Sequence, residues 1–167
     1  MPELVPWFLL LHVLGAVIAF GPTYAFPLIG AMGGAEREHA NFATRVTVAI
    51  SEKRVVPFAL SMPVTGIGLI WSAGIDPFSP AFRWLLLGIL LYLFALTYSL
   101  GINLPNARRI VALSSAPPPG ASAGAPSGGP PPELMAAVAK AQRGGMIVTA
   151  VVTLIILLMV VKPAFGF

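Results

Sequence analysis

Four long apolar stretches, residues 4–31, 55–73, 81–102 and 145–161, are separated by segments that hold nearly every charge of the chain. A helix needs about 20 apolar residues to cross the hydrocarbon core of a bilayer. The pattern therefore predicts an all-α fold, a four-helix transmembrane bundle that forms a single integral membrane domain over residues 1–167. The first stretch is longer than a straight crossing requires. Pro22 and Pro27 offer a bend, since each removes a backbone donor and crowds the preceding turn. Met1-Pro2-Glu3 lacks the positive charge that opens a signal peptide, so this stretch is read as a retained span.

The segments between the spans differ in kind. Ser51-Glu52 reads as a helix start with an acid in the first turn. Asp76-Pro77 and Ser79-Pro80 mark a short turn between the second and third spans. Over residues 33–50, Phe42, Val46, Ala49 and Ile50 share one helical face, with Arg37, Glu38, Asn41 and Arg45 around the other. This spacing suits a helix lying in the membrane interface, and equally a polar extension of a span. Residues 114–132 are almost entirely Ala, Pro, Gly and Ser, a composition that buries too little apolar surface to order itself. They are expected to form a disordered cytoplasmic tether, after which residues 133–143 regain helix formers and lengthen the fourth span. The two halves show no internal repeat.

Charge placement adds a direction. Of the ten basic residues, Arg37, Arg45, Lys53 and Arg54 lie between the first and second spans, and Arg108, Arg109, Lys140 and Arg143 between the third and fourth. Membrane proteins retain Lys and Arg in cytoplasmic loops. The expected topology has both termini on the outer, periplasmic or extracellular, side of a bacterial inner membrane. Trp7, Trp71 and Trp84 then all fall near the outer interface, where such rings are enriched.

Composition agrees: 57% of residues are hydrophobic and only 10% charged, against about 25% charged in soluble domains. The net charge of +4 tracks the topology and forms no dense patch of the kind that binds nucleic acid. The bilayer is the expected partner; a homo-oligomer or a larger membrane complex stays open. With no cysteine, disulfides and thiolate metal sites are excluded.

Ionisable groups inside a bilayer are costly and mark candidate sites. His12 is the one placed unambiguously within a span, about 10 Å below the outer edge of the hydrocarbon at 1.5 Å per residue. Its helical neighbours Gly15, Ala16 and Ala19 are small, which lets another helix approach and turns the ring into the bundle. At matching depth the second span offers Met62, Thr65 and Gly66, the third Tyr92 and the fourth Thr153. A neutral histidine bonded to a Thr or Tyr hydroxyl accounts for the residue structurally. A cofactor site made by His12, Met62, Thr65 and Tyr92 is the sharper reading, because imidazole binds haem iron with Met or a second His opposite. No second membrane histidine exists for a bis-histidine site.

His39, with Glu36 and Glu38, offers too few converging ligands for a metal. A further polar group, Thr23, Tyr24, Lys53, Arg54, Thr97, Tyr98 and Asn103, falls near the cytoplasmic ends. Tyr there is read as an interface anchor, with a small-anion or headgroup site at Arg54 as the alternative. The chain carries no phosphate loop, nucleophile elbow, paired intramembrane carboxylates or zinc spacing, so no catalytic residue is assigned.

Leu11-His12-Val13-Leu14-Gly15-Ala16, followed by Phe20-Gly21-Pro22, resembles the first helix of bacterial integral membrane proteins of unknown function. More distantly it is similar to the CopD-like and HemJ-like families, which also carry a histidine early in the first span. Pro57-Phe58 leading to Thr65-Gly66, then Arg83-Trp84-Leu85 and Val161-Lys162-Pro163, fit the same pattern. The likeness to HemJ-like proteins implies haem binding and protoporphyrinogen oxidation, and that to CopD-like proteins implies copper handling; only His12 carries over. The HemJ-like pattern has a Lys four positions after the third-span Trp, where this chain has Gly88, and there is no Cys for copper. The leading expectation is thus a membrane protein that binds haem b or a porphyrin-like ligand at His12. Its rivals are an accessory subunit with His12 as a packing residue, and a small oligomeric transporter or channel.

Overall fold

A computed structural model describes residues 1–115 and 131–163. The described residues form helices α1 (Val5–Ala35), α2 (Ala40–Ile50), α3 (Val56–Ala73), α4 (Arg83–Tyr98), α5 (Leu104–Ser115) and α6 (Pro132–Val161), with no strand among them. Short 3-10 turns precede α1, α2 and α4. α2 runs into α3, and α4 into α5, through single π-turns at Ser51–Val55 and Ser99–Asn103. Four continuous helices result, Pro2–Ala35, Ala40–Ala73, Pro80–Ser115 and Pro132–Val161, each long and apolar enough to cross a membrane. Of the two readings of residues 33–50, the polar extension of a span is the one the structure adopts. Of residues 114–132, Ser114 and Ser115 close α5 and Pro132 opens α6; residues 116–130 lie outside the described residues.

The two π-turns share a cause that sequence spacing hides. Val56 N–H reaches Ser51 O, and Leu104 N–H reaches Ser99 O, each five residues back. Each is followed at once by a proline, Pro57 or Pro105, with a Ser six positions before it. A proline inside a helix has no N–H and its ring presses on the carbonyl four residues earlier, Lys53 or Gly101 here. The wider turn relieves that contact.

α1 packs on α3 and α6, and α4 packs on α6, so α6 holds the middle of the bundle. Its buried stripe, Ala137, Gly144, Val148, Val152, Ile155 and Leu158, steps by three, four or seven residues, as one helical face requires. Small residues set the close approaches. A methyl at Gly68 would collide with the Phe8 ring, at Gly88 with Met159, and at Gly144 with the Asn103 amide. At the connection between α3 and α4, Gly74 takes φ +65°, a left-handed value suited to glycine. Ile75 N–H then bonds Ile70 O at 3.0 Å, and Asp76 Oδ1 accepts the Phe78 N–H at 3.0 Å.

Three further prolines lie inside α-helical turns: Pro22, Pro27 and Pro63. Each leaves the carbonyl four residues earlier without its helical donor, and in hydrocarbon such a group must find another. Tyr92 of α4 donates its hydroxyl to Ala59 O, the carbonyl freed by Pro63, at 2.6 Å. Thr149 of α6 reaches Thr23 O, freed by Pro27, at a long 3.5 Å while also bonding Gly145 O at 2.9 Å. The first of these is the stronger link, and it joins two spans that otherwise touch little.

If Tyr92 is there to satisfy Ala59 O, Tyr92→Phe should cost about 1 kcal/mol in a detergent unfolding titration. In a Pro63→Ala background, where residue 63 regains its N–H, the same change should cost close to nothing. Equal costs in the two backgrounds would show that the hydroxyl has another role.

Candidate functional site

His12 sits two turns into α1, on the face that meets α3. Its Nδ1 lies 2.8 Å from Thr65 Oγ1. The Thr65 hydroxyl is also 3.1 Å from Met62 O and 3.5 Å from Ser61 O in its own helix. A threonine hydroxyl has one proton, and when it donates back along the helix its lone pairs face the imidazole. Nδ1–H is then the donor, and Nε2 carries the lone pair. Nε2 has no hydrogen-bond partner among the described residues, yet no buried side-chain nitrogen or oxygen there is left unpaired. It therefore reaches the surface of the bundle. Gly66 leaves room for the ring: a methyl there would stand 3.4 Å from His12 Cε1.

The other residues expected in this layer are placed differently. Met62 is buried, its sulfur 3.1 Å from where a Cβ on Gly15 would stand, so it fills the α1–α3 contact one turn along from His12. Tyr92 spends its hydroxyl on Ala59 O. Thr153 pairs with the Tyr24 hydroxyl at 2.9 Å and ties α6 to α1. Of the layer, the structure brings Thr65 and Gly66 to His12. Gly88, where the HemJ-like pattern has lysine, is buried and closed over by Met159. A Cβ there would meet the terminal methyl of Met159, which would have to turn aside.

The polar group near the other end of the spans disperses as well. Tyr98 stacks on Phe94 at 5.7 Å between centroids, Thr97 bonds back to Leu93 O at 2.8 Å, and Arg54 is exposed. His39 Nδ1 lies 3.1 Å from Glu36 Oε2 and 3.7 Å from Glu38 Oε1 at the surface. No group of three or more metal-ligating acidic or His side chains exists among the described residues. Trp84, at the start of α4, faces into the bundle instead of outward. It is buried, with Lys162 Nζ 5.8 Å above its ring, whereas Trp7 and Trp71 stay exposed.

Sequence reasoning missed the links that join the helices beyond the apolar runs. Arg108 Nε donates to Glu52 Oε1 at 2.7 Å, Arg109 pairs with Glu133 at 3.2 Å, and buried Asn106 donates to Ala137 O at 2.8 Å. Asn41 donates to Ser114 Oγ at 2.8 Å and Ser115 Oγ at 2.9 Å at the end of α5. The one signal available was the presence of opposite charges in segments flanking different spans. Their pairing depends on which spans are neighbours.

The Thr65 contact is testable alone. Thr65→Val removes the partner of Nδ1 and should lower the thermal midpoint in detergent, for a loss of roughly 1 kcal/mol. Thr65→Ser, which keeps the oxygen, should restore most of it.

A family model described as "Predicted integral membrane protein (DUF2269)" matches residues 7–163, all four spans included. No curated protein and no solved structure matches the chain.

Proposed function

From the premise that this chain belongs to the DUF2269 family of predicted integral membrane proteins, we propose that it is a multi-pass protein of the bacterial inner membrane that binds haem, or a related metalloporphyrin, through His12. One observation supports this reading. The imidazole is held through Nδ1 by Thr65 at 2.8 Å, while Nε2 is unpartnered among the described residues and not fully buried. Histidines that ligate metals are commonly anchored in this way through the nitrogen away from the metal. An unpaired imidazole nitrogen at bilayer depth is costly unless a ligand takes it. His12 would hold the group through Nε2, with Thr65 as the residue that orients the ring. Met62 and Tyr92, the other residues considered for the site, are committed to Gly15 and to Ala59 O, so the proposal rests on His12 and Thr65. An iron porphyrin would supply redox or gas-binding chemistry that the chain's own side chains lack.

The absorption spectrum of detergent-purified protein, oxidised and dithionite-reduced, with and without added haemin, tests this. The expected result is a sharp Soret band that moves on reduction, is lost in His12→Ala and is perturbed in Thr65→Val. Identical spectra for wild type and His12→Ala would remove the proposal.

A second reading is supported by the low enclosure of the spans. In the most apolar 18-residue windows of the first and third membrane helices only 11% of residues are buried within the chain. Much apolar surface is left for lipid or for another membrane protein. An accessory subunit of a larger complex would be colourless, would copurify with its partner, and would lose only stability on His12 substitution.

The proposed orientation is both termini out. Arg45, Lys53, Arg108, Arg109 and Lys140 gather at one end of the bundle. The start of α1 and Lys162 lie at the other, against the end of α3 and Trp84. By the retention of Lys and Arg on the cytoplasmic side, the basic end faces inward. Alkaline phosphatase fused after residue 167 should be active and a green fluorescent protein fused there dark; the reverse pair would invert the topology.

A further inference from the structure

At the basic end of the bundle, α2, the π-turn before α3, and α5 border an open, shallow crevice of about 240 Å³ lined by Arg45, Val48, Ala49, Glu52, Lys53, Arg108 and Val111. The three cations come from three different segments. Arg108 is engaged by Glu52 at 2.7 Å. Arg45 and Lys53 make no ion pair or hydrogen bond among the described residues, so the crevice keeps two uncompensated positive charges. Val48, Ala49 and Val111 give it an apolar wall.

The position of the crevice along the helix narrows its ligand. Lys53 lies two residues before Val55, where the apolar run of the second span begins, a step of about 3 Å along the axis. The polar layer of one leaflet occupies roughly 5–8 Å beyond the hydrocarbon. Lys53 thus stands at the depth of lipid phosphates, whereas Arg45, about 15 Å out from Val55 by the same count, joins it only because both side chains line the one crevice. The π-turn contributes both Glu52 and Lys53, and it owes its place to Pro57.

We propose that this crevice binds a phosphate-ester anion through Arg45 and Lys53, with the Arg108–Glu52 pair forming one wall. The site is independent of His12, which lies at the opposite end of the spans. Two sources share this chemistry, the headgroup of an anionic phospholipid and a free phosphate. The depth of Lys53 favours the lipid, since its acyl chains would continue along the apolar run from Val55 onward.

The test is native mass spectrometry of the full chain, released from micelles that contain equimolar dioleoylphosphatidylglycerol and dioleoylphosphatidylcholine. The anionic lipid should be retained in preference by roughly tenfold. The preference should vanish in Arg45→Ala/Lys53→Ala and persist in Arg143→Ala, a basic residue outside the crevice. Inorganic phosphate is the second probe. Phosphate binding that needs Arg45 and Lys53, without retention of the anionic lipid, would uphold the site and assign it to free phosphate. Binding of neither probe, or a preference that survives the double variant while its thermal midpoint matches wild type, overturns the proposal. If the double variant fails to fold, Arg45→Gln and Lys53→Gln singly replace it, with the same outcomes read.

Discussion

Every backbone carbonyl inside a bilayer needs a donor, and the prolines of this chain take five of those donors away from helices. Four of the five losses are handled in one of two ways. At Pro57 and Pro105 the helix widens into a π-turn. At Pro63 and Pro27 the turn stays α-helical, and a hydroxyl from another span is brought to the freed carbonyl. A helix with its own carbonyls satisfied can rotate or slide against its neighbours at little cost. One whose Ala59 O is capped by Tyr92 is held to a single register against α4. The prolines that weaken the spans locally therefore specify how the spans meet.

Close approach supplies the second constraint. Lipid tails are as apolar as leucine, so packing between spans comes from shape and not from exclusion of water. Phe8 lies over Gly68, Met159 over Gly88, Asn103 over Gly144 and Met62 over Gly15. The contact of α1 with α3 that Phe8, Gly68, Met62 and Gly15 create is the one that carries His12 against Thr65 and Gly66. The histidine is thus a consequence of the packing at one nitrogen and is left available at the other. That division makes one side chain both a link between spans and a candidate ligand.

The two ends of the bundle are chemically distinct. At and beyond the π-turns, ion pairs and amide links join the helices, Arg108 of α5 with Glu52 of the turn and Asn41 of α2 with the end of α5. Outside the low-dielectric core, polar links of this kind can hold helices together without the desolvation cost they would incur at the midplane. The surplus of cations left there is what gives the crevice its charge.

The all-α class, the four spans and the turn at residues 74–80 were legible in the sequence alone, because hydropathy and turn chemistry are read along one dimension. His12 was legible as well, since one imidazole stands out against an apolar run. Its partner was only narrowed: depth matching named Thr65, Met62, Tyr92 and Thr153 alike, and only the fold separated them. Depth along a helix follows from counting residues, whereas the direction a side chain faces depends on how each helix is rotated against its neighbours. The tertiary structure alone decided that Tyr92 serves a proline, that Thr153 serves Tyr24, and that Trp84 lies beneath Lys162. Those choices rest on which spans are neighbours, and no periodicity within one span records that.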